Sequence, residues 1–281
     1  MKGSFFLIVI SFIFLLNSCS KDNDVPEPTT NFVVKFIGHR GSGSDDFYGK
    51  DSSFPRENTF ASMLIGFQYL HGSETDIQMS LDGTLWLWHD ATFPDNNSSL
   101  CIPTMHDAEI IALQLPDKPV AKLDSVFYWM SRYAVNKIIS LDIKGYFPMA
   151  PTLDLYAYYD RMSDSIRTKV RRYHLQRRVF VETDYTIFLD YMKFKEPLVD
   201  RYLLAYSDLR TAVNTCIDRG YTGVSFAYYD TSMTEQNIRY LRSKGLKIQV
   251  WTLHTLESIE YIERLKPDVI QTDVIKEIHV R

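Results

Sequence analysis

The chain has 281 residues, with 31 lysines and arginines against 35 aspartates and glutamates, giving a formal net charge of −4. Hydrophobic residues make up 45% of the chain and charged residues 23%, values that exclude a disordered or low-complexity protein. The mild acidity argues against a nucleic-acid partner, because neutralising phosphates requires a concentrated positive surface. Three cysteines are too few for a disulfide scaffold, and their spacing matches no metal-binding motif.

The first element along the chain is a predicted export signal. Lys2 precedes an apolar run over residues 5–16, which is too short to span a bilayer. Residues 16–19 resemble a bacterial lipobox, so residues 1–18 are predicted to be a lipoprotein signal peptide and Cys19 the lipidated first residue of the mature protein. A plain secreted protein with an incidental cysteine is the alternative. We expect an extracytoplasmic protein, lipid-anchored to a bacterial membrane on a periplasmic or surface-exposed face.

The export signal is followed by a polar segment. Residues 19–31 are acidic and contain prolines, so they cannot build a core and are predicted to form a flexible tether. The acidic start of this tether resembles the surface-export signals of lipoproteins from Bacteroidetes-type bacteria. The remaining residues, 32–281, have the length of one α/β barrel domain.

Short β-branched or aromatic segments alternate with amphipathic helical segments throughout that domain. The predicted strands cover residues 33–38, 73–78, 138–143, 179–183, 202–206, 223–227, 247–252 and 268–272. Eight such alternations without an intervening linker indicate the α/β class and predict a single (β/α)₈ TIM barrel.

Helix signals separate most of these strands. Residues 58–70 place their apolar side chains on one face. Ser232 and Glu235 are predicted to form a capping box at the start of a later helix, which Gly245 ends. Gly220 is predicted to end the helix before that one.

One strand-like segment does not fit the alternation. Thr84–His89 follows a tight-turn signal at residues 81–83, which predicts a small hairpin insertion after strand two. The alternative is a further barrel strand that shifts the strand count by one. A Cys101–Cys216 disulfide also stays open for a protein in an oxidising location.

Acidic side chains gather at the carboxyl ends of the predicted strands, where barrel enzymes place their catalytic groups. Glu74 and Asp76 alternate onto one face of strand two, and Asp142 occupies the end of strand three. Three inward carboxylates repel one another unless they are protonated or bridged by a cation. An all-oxygen ligand set suits Mg²⁺ or Ca²⁺ better than zinc.

Two histidines and two cationic residues belong to the same strand ends. His39 and Arg40 follow strand one, His89 follows the hairpin segment, and Lys144 follows strand three. Imidazoles provide an acid and a base, while the cations bind anions. Together with a divalent ion, this set suits phosphodiester cleavage.

Seven short motifs run in order along nearly the whole barrel. They are Gly38-His39-Arg40-Gly41, Glu57-Asn58-Thr59, Glu74-Thr75-Asp76-Ile77-Gln78, Asp82-Gly83 with His89-Asp90, Asp142-Ile143-Lys144, Val250-Trp251-Thr252 and Thr272-Asp273. In this order they resemble the glycerophosphodiester phosphodiesterase family of the PLC-like phosphodiesterase TIM-barrel superfamily. The resemblance implies hydrolysis of small-molecule glycerophosphodiesters to glycerol 3-phosphate and an alcohol, with one divalent cation, Mg²⁺ or Ca²⁺.

The resemblance also implies a role for each matching residue. It assigns acid–base catalysis to His39 and His89, and metal ligation to Glu74, Asp76 and Asp142. Phosphate contact is assigned to Arg40 and Lys144. Glu57 is expected near the metal or glycerol, and Trp251 is expected to pack against the glyceryl group. It further implies that a neighbouring glycerol hydroxyl attacks phosphorus and that water then opens the cyclic phosphate. Which histidine acts first as base stays open.

The chain departs from the family pattern in four places. Asp142 stands where the family usually has glutamate, Arg56 where it has proline, and His254 where it often has asparagine. The fourth departure is a long polar loop, Ser42–Phe54, which either reshapes substrate choice or is a variable surface loop.

Two other functions remain alternatives at this point. One is a phospholipase-type or glycerophosphoinositol phosphodiesterase of the same superfamily, for which an open, apolar-rimmed mouth is expected instead of a small polar pocket. The other is a non-catalytic surface lipoprotein that binds a phosphorylated ligand, in which Asp142 serves only as the salt-bridge partner of Lys144.

Overall fold

The computed structural model describes residues 32–48, 54–94, 98–113, 115–206, 208–229, 233–275 and 278. The predicted signal peptide, Cys19 and the predicted tether lie outside the described residues. Phe32–Arg281 forms one compact unit. Within the described part of the chain, no helix is both long and apolar enough to cross a membrane.

The strands form a closed parallel barrel with an antiparallel extension. In chain order they are β1 Lys35–Gly38, β2 Gly72–Met79, β3 Leu85–Leu87, β4 Ala121–Lys122, β5 Ile138–Ile143, β6 Val179–Thr183, β7 Asp200–Ala205, β8 Gly223–Ala227, β9 Lys247–Leu253 and β10 Val269–Thr272. The barrel order is β1-β2-β5-β6-β7-β8-β9-β10, and β10 pairs again with β1. The predicted single (β/α)₈ TIM barrel is confirmed.

A helix follows each barrel strand from β1 to β9. The helices are α1 Asp45–Tyr48, α2 Phe60–Tyr69, α3 Asp107–Ala112, α4 Leu123–Tyr133, α5 Leu155–Arg172, α6 Thr186–Lys195, α7 Leu209–Arg219, α8 Glu235–Ser243 and α9 Leu256–Arg264. A 3₁₀ turn covers Ile102–Thr104. Gly220 ends α7 in the left-handed conformation, with φ of 67°, as predicted from the lack of a Cβ.

The hairpin lies beside the barrel and adds no strand to it. β3 pairs antiparallel with β2, and β4 pairs antiparallel with β3. Trp86 and Trp88, on and just after β3, form with Phe93 a small apolar cluster separate from the main core. The strand-like segment Thr84–His89 is therefore the predicted hairpin insertion.

Inside the barrel, the inward side chains change character from the bottom of the sheet to the top. The bottom layer is apolar and contains Ile37, Ile138, Phe180, Tyr202 and Val269. The next layer is polar and buried, with Ser140, Glu182, Ser225, Gln249 and Gln271. Strand β5 shows the sequence origin of the layers, since every second residue, Ile138, Ser140 and Asp142, points inward.

Two sequence-based expectations are settled by local contacts. Ser232 of the predicted Ser232–Glu235 capping box lies outside the described residues. Glu235 is the first residue of α8 and not the third, because α8 is capped by Thr234, whose hydroxyl accepts the Asn237 N–H at 3.2 Å. Thr234 immediately precedes the first helical residue, where its hydroxyl reaches a backbone N–H of the first turn. Cys101 and Cys216 are separate buried thiols, so the disulfide left open by the sequence is not formed.

Candidate active site

A tight turn at the end of β1 delivers the first two site residues. The Gly41 N–H donates to the Gly38 carbonyl at 3.1 Å, which closes the turn over residues 38–41. Gly41 has a φ of 91°, and a Cβ there would lie 2.5 Å from the backbone of Ser62 in α2. Only glycine fits this close approach. The turn therefore packs on the start of α2 and leaves its two central residues at the barrel mouth.

His39 is held by a buried carboxylate from the other end of the chain. Its Nδ1 lies 2.8 Å from Oδ1 of Asp273, which also accepts the Ser44 N–H at 2.8 Å. His254 Nδ1 lies 2.8 Å from the second oxygen, Oδ2. Burial acts to raise the pKa of Asp273, but the two imidazoles more than offset it, and the pKa is held well below its usual range. Because an ionised carboxylate only accepts hydrogen bonds, Nδ1 of His39 carries the proton and Nε2 is left to react.

His89 has a local and more exposed partner. Just after β3, its Nδ1 lies 2.9 Å from Oδ1 of Asp90. This hydrogen bond lowers the pKa of Asp90. Because an ionised Asp90 carboxylate also only accepts hydrogen bonds, Nδ1 of His89 carries the proton and Nε2 is left free. Both predicted catalytic histidines thus present the same ring nitrogen for chemistry.

The three predicted metal ligands lie together. Glu74 and Asp76 on β2 and Asp142 on β5 have ligand oxygens within 4.8 Å of one another. Asp76 and Asp142 are paired in register on neighbouring strands. Bonds of Mg²⁺ or Ca²⁺ to oxygen are about 2.0–2.6 Å long, so one ion reaches oxygens at this separation. The donor set fits a hard divalent cation.

Lys144 and Arg40 supply positive charge to this cluster. Lys144 Nζ lies 2.8 Å from Asp76 and 2.6 Å from Asp142. The Arg40 backbone N–H donates to Glu74 at 2.8 Å, and its guanidinium Nε lies 3.5 Å from Asp76. Asp142 does form an ion pair with Lys144, as one alternative from the sequence expects. Lys144 also contacts Asp76, however, so it bridges two carboxylates of the cluster.

The crowding of carboxylates separates their protonation. Burial acts to raise the pKa of Asp76, but Lys144 and other neighbouring positive groups hold that pKa well below its usual range. Burial, reinforced by Asp76 and other acidic neighbours, raises the pKa of Glu74 well above its usual range. The neighbouring positive groups of the protein therefore do not fully balance the negative charge of these carboxylates, and a bound cation would balance the remainder.

The Glu57-Asn58-Thr59 motif holds both the cluster and α2. The Asn58 amide donates to Asp76 at 2.6 Å, and its oxygen accepts the Asp76 N–H at 3.1 Å. Thr59 caps α2 by accepting the Ser62 N–H at 3.1 Å. Asn58 has no predicted role of its own, although its side chain orients a predicted metal ligand.

Glu57 differs from its predicted position near the metal or glycerol. It is buried behind Arg40 and accepts a hydrogen bond from the guanidinium at 2.8 Å. Lys118 donates to its other oxygen at 2.8 Å, and the Asp45 N–H donates at 3.0 Å. Two cations hold the carboxylate away from the cavity, so Glu57 contacts Arg40 and not the space where substrate fits.

Glu182 on β6 was not anticipated from the sequence. It is paired in register with Asp142, and its carboxylate accepts hydrogen bonds from four buried side chains: Ser140, Ser225, Gln249 and Gln271. Burial, followed by the charge of Asp142, raises its pKa to about 7. The available signal was a glutamate at an inward position of a fully buried strand. Because its donors come from four other strands, sequence spacing alone does not reveal it.

These side chains surround a cavity of about 220 Å³ at the carboxyl ends of the strands. It is lined by His39, Arg40, Glu74, Asp76, His89, Asp142, Lys144, Glu182, Leu204, Tyr206, Trp251, Thr252 and Gln271. Of the nine residues predicted to form the site, all except Glu57 line it. The Trp251 Nε1–H is buried without a hydrogen-bond acceptor among the described residues.

A larger groove of about 890 Å³ lies elsewhere, between α2 and the segment that leads into β4. Its lining is mostly apolar and includes Phe60, Trp86, Ile111 and Leu115. None of the predicted catalytic, metal-binding or phosphate-binding residues lines it. The polar cavity is therefore the candidate active site.

A closed barrel with clustered carboxylates, two histidines and two cations at the carboxyl ends of its strands has the architecture of a TIM-barrel enzyme. The model of the glycerophosphoryl diester phosphodiesterase family matches residues 39–277. The chain belongs to that family. It is accordingly a phosphoric diester hydrolase, and its family depends on a divalent metal, for which the acidic cluster is the candidate site.

Solved structures show the same fold. A glycerophosphodiester phosphodiesterase from Parabacteroides distasonis is 18% identical with a TM-score of 0.72, over 88% of this chain and 96% of that one. A putative glycerophosphoryl diester phosphodiesterase from Silicibacter pomeroyi is 18% identical with a TM-score of 0.71, over 88% and 92%. An Oleispira antarctica phosphodiesterase in complex with the product sn-glycerol-3-phosphate is 17% identical with a TM-score of 0.71, over 88% and 96%. A sequence search against curated proteins finds no match.

Proposed function

We propose that the chain hydrolyses small glycerophosphodiesters to glycerol 3-phosphate and an alcohol, using His39 and His89 beside one divalent cation held by Glu74, Asp76 and Asp142. The observation that carries the proposal is the shared cavity, in which both imidazoles keep Nε2 free next to the acidic cluster. The bound product in the Oleispira antarctica relative supports the same chemistry.

The proton transfers follow from the two imidazoles. One Nε2 accepts the proton of the attacking glycerol hydroxyl as its oxygen bonds to phosphorus, and the other donates a proton to the alcohol oxygen as its bond to phosphorus breaks. Water then opens the cyclic phosphate with the two roles exchanged. Arg40 and Lys144 bind the phosphate oxygens, and the cation, when bound, stabilises the charge that grows on them.

The size and lining of the cavity favour a small substrate. About 220 Å³ bounded mainly by charged and polar side chains suits a headgroup-bearing glycerophosphodiester better than an intact phospholipid. We expect the Trp251 ring to pack on the glyceryl carbons, because Trp251 lines the cavity together with the cations and the acidic cluster. The phospholipase-type alternative is thereby disfavoured.

The test is release of glycerol 3-phosphate from glycerophosphocholine by the full-length chain, with Ca²⁺, with Mg²⁺ and with EDTA. We expect release with one of the two ions, none with EDTA, and a loss of at least about 1,000-fold in His39→Ala and His89→Ala. Tyr261→Leu, at an exposed tyrosine on the outer helix α9, is the control and should keep wild-type activity. Activity that persists in EDTA, or in both histidine variants, contradicts the proposal. Tight binding of the diester without cleavage would favour the non-catalytic alternative.

We also propose that Cys19 is lipidated and anchors the enzyme outside the cytoplasm. The support is the lipobox-like sequence at residues 16–19 and the polar tether that follows it. Intact-protein mass spectrometry of the membrane fraction is expected to show an N-terminal acylated cysteine. A chain that keeps residues 1–18, or a Cys19→Ser variant that stays in the membrane, contradicts the anchor.

A further inference from the structure

The mouth of the barrel is divided by charge. Arg40 and Lys144, the cations of the cavity, follow β1 and β5. The loops after β6, β7 and β8, at residues 184–185, 206–208 and 228–234, contain four tyrosines and three aspartates but no lysine or arginine. In the closed strand order, β7 lies across the barrel from β1. A phosphate held by the cations therefore faces an aromatic and acidic wall.

The rings of this wall are accessible and close to the cavity. Tyr206 lines the cavity, and its ring stands at 76° to the ring of Trp251, with 6.1 Å between the centroids. Tyr206 is 62% exposed. Next to them, Tyr228 and Tyr229 form a second perpendicular pair with centroids 5.5 Å apart, and Tyr229 is 70% exposed. Exposed aromatic faces attract cations, and quaternary ammonium groups most characteristically.

Among the described residues, no lysine or arginine occupies the faces of these rings. Elsewhere in the described residues, lysines and arginines lie over rings, such as Lys118 over Trp88 at 4.9 Å and Lys122 over Trp86 at 4.8 Å. Within the described part of the chain, none of the four loop tyrosines has a lysine or arginine over its ring. The exposed rings of Tyr206 and Tyr229 are therefore open to a positively charged ligand.

A carboxylate completes the wall. Asp184 is an exposed residue directly after β6, and no ion pair to it occurs among the described side chains. Asp184 and Tyr206 follow the carboxyl ends of β6 and β7, which are paired neighbours, so the two groups lie on the same side of the mouth. Asp208 is different, because Thr211 and the adjacent Arg210 already interact with it. Asp184 is thus the anionic group available to a ligand.

We propose that Asp184 and Tyr206, with the neighbouring tyrosines 185, 228 and 229, bind the positively charged alcohol portion of the substrate, and that a trimethylammonium group is preferred over a neutral alcohol. The inference rests on the proposed function and names its substrate class. The cations hold the phosphate, Trp251 packs on the glyceryl group, and the aromatic wall takes the ammonium.

The experiment compares kcat/KM for glycerophosphocholine and glycerophosphoglycerol with the full-length chain. We expect wild type to favour the choline diester by about tenfold, the range of one or two cation–π contacts. Tyr206→Leu is expected to remove most of that preference by lowering kcat/KM for the choline diester more than for the glycerol diester, and Asp184→Asn to reduce the preference by about threefold. Tyr261→Leu, an exposed tyrosine on the outer helix α9, is the matched control and should change neither value.

Equal turnover of the two diesters by wild type, or equal losses on both in Tyr206→Leu, overturns the inference and leaves the proposed function intact. A choline titration followed by calorimetry tests the wall without catalysis, and its Tyr206-dependent binding is expected even if neither diester is cleaved. No such binding also overturns the inference. Lysophosphatidylcholine presents the same ammonium on a lipid. If it alone is cleaved, with the same dependence on Tyr206, the ammonium site stands and the small-substrate proposal fails.

Discussion

The two histidines of the cavity have the same hydrogen-bonding pattern in very different surroundings. His39 is 15% exposed and is held by Asp273, which is fully buried and lies 234 residues away in the sequence. His89 is 35% exposed, and its carboxylate partner Asp90 is the next residue and is 26% exposed. His39 is therefore held through the pairing of the first and last barrel strands, whereas His89 is held by a residue of its own loop.

This difference has consequences for orientation. Asp273 accepts hydrogen bonds from Ser44, His254 and His39, so its carboxylate has no freedom to rotate away from the ring it holds. The Asp90 side chain is solvated and can exchange its partner for water at little cost. His39 is therefore preorganised before substrate arrives, whereas His89 is free to adjust to it.

The largest effect is expected from Asp273→Asn. The amide cannot hold the two imidazoles as an ionised carboxylate does, so His39 loses both its tautomer and its orientation. We expect kcat to fall by about 100-fold or more, as when the carboxylate that orients a catalytic histidine is neutralised. Steady-state kinetics with saturating cation and glycerophosphocholine measure this, with circular dichroism to verify folding. A folded variant within a few-fold of wild type would remove the proposed role of the buried carboxylate.

A smaller effect is expected from Asp90→Asn. Water can replace the lost hydrogen bond to His89 at this exposed position, so we expect kcat to fall by only about tenfold. The same assay applies, and the ratio of the two asparagine variants is the informative quantity. If Asp90→Asn is as damaging as Asp273→Asn, the contrast between a fixed and an adjustable imidazole is wrong.

The smallest effect is expected from His254→Asn. His254 shares Asp273 with His39 but does not line the cavity. Its loss leaves the bonds from His39 and Ser44 in place, so we expect kcat within about threefold of wild type, the effect of one peripheral hydrogen bond. A fall comparable to that of Asp273→Asn would show that His254 takes part in the proton transfers.

Much of the barrel was predictable from the sequence because its strands are short, β-branched and regularly spaced. The predicted strand at 138–143 coincides with β5, and the others lie within a few residues of the observed strands. The hairpin was predictable from a turn signal followed by a strand pattern. β4 and α1 were not, because two-residue and four-residue elements carry no period and form only where tertiary contacts stabilise them.

The site divides in the same way. The alternation of side chains along the strands predicts Glu74, Asp76 and Asp142, because this local pattern can be recognised in the sequence alone. Asp273 was seen as part of a motif, but its bond to His39 depends on the pairing of the first and last strands. Lys118 and Glu182 depend on partners in distant segments. The position of Glu57 behind Arg40 does not follow from the sequence for the same reason, since the cations that hold it come from the turn after β1 and from the segment before β4.

The pairing of Asp76, Asp142 and Glu182 in one row across β2, β5 and β6 has a consequence for how this enzyme tolerates genetic change. Because side chains alternate between the two faces of a strand, deleting one residue within β5 would turn Asp142 outward and bring an apolar neighbour inward. The remaining strands would still form the barrel, but the row of three carboxylates would be interrupted. Lengthening or shortening the loops leaves the row untouched. Insertions and deletions in the loops that shape substrate choice are therefore compatible with catalysis. Insertions and deletions within the strands that carry the carboxylates are not.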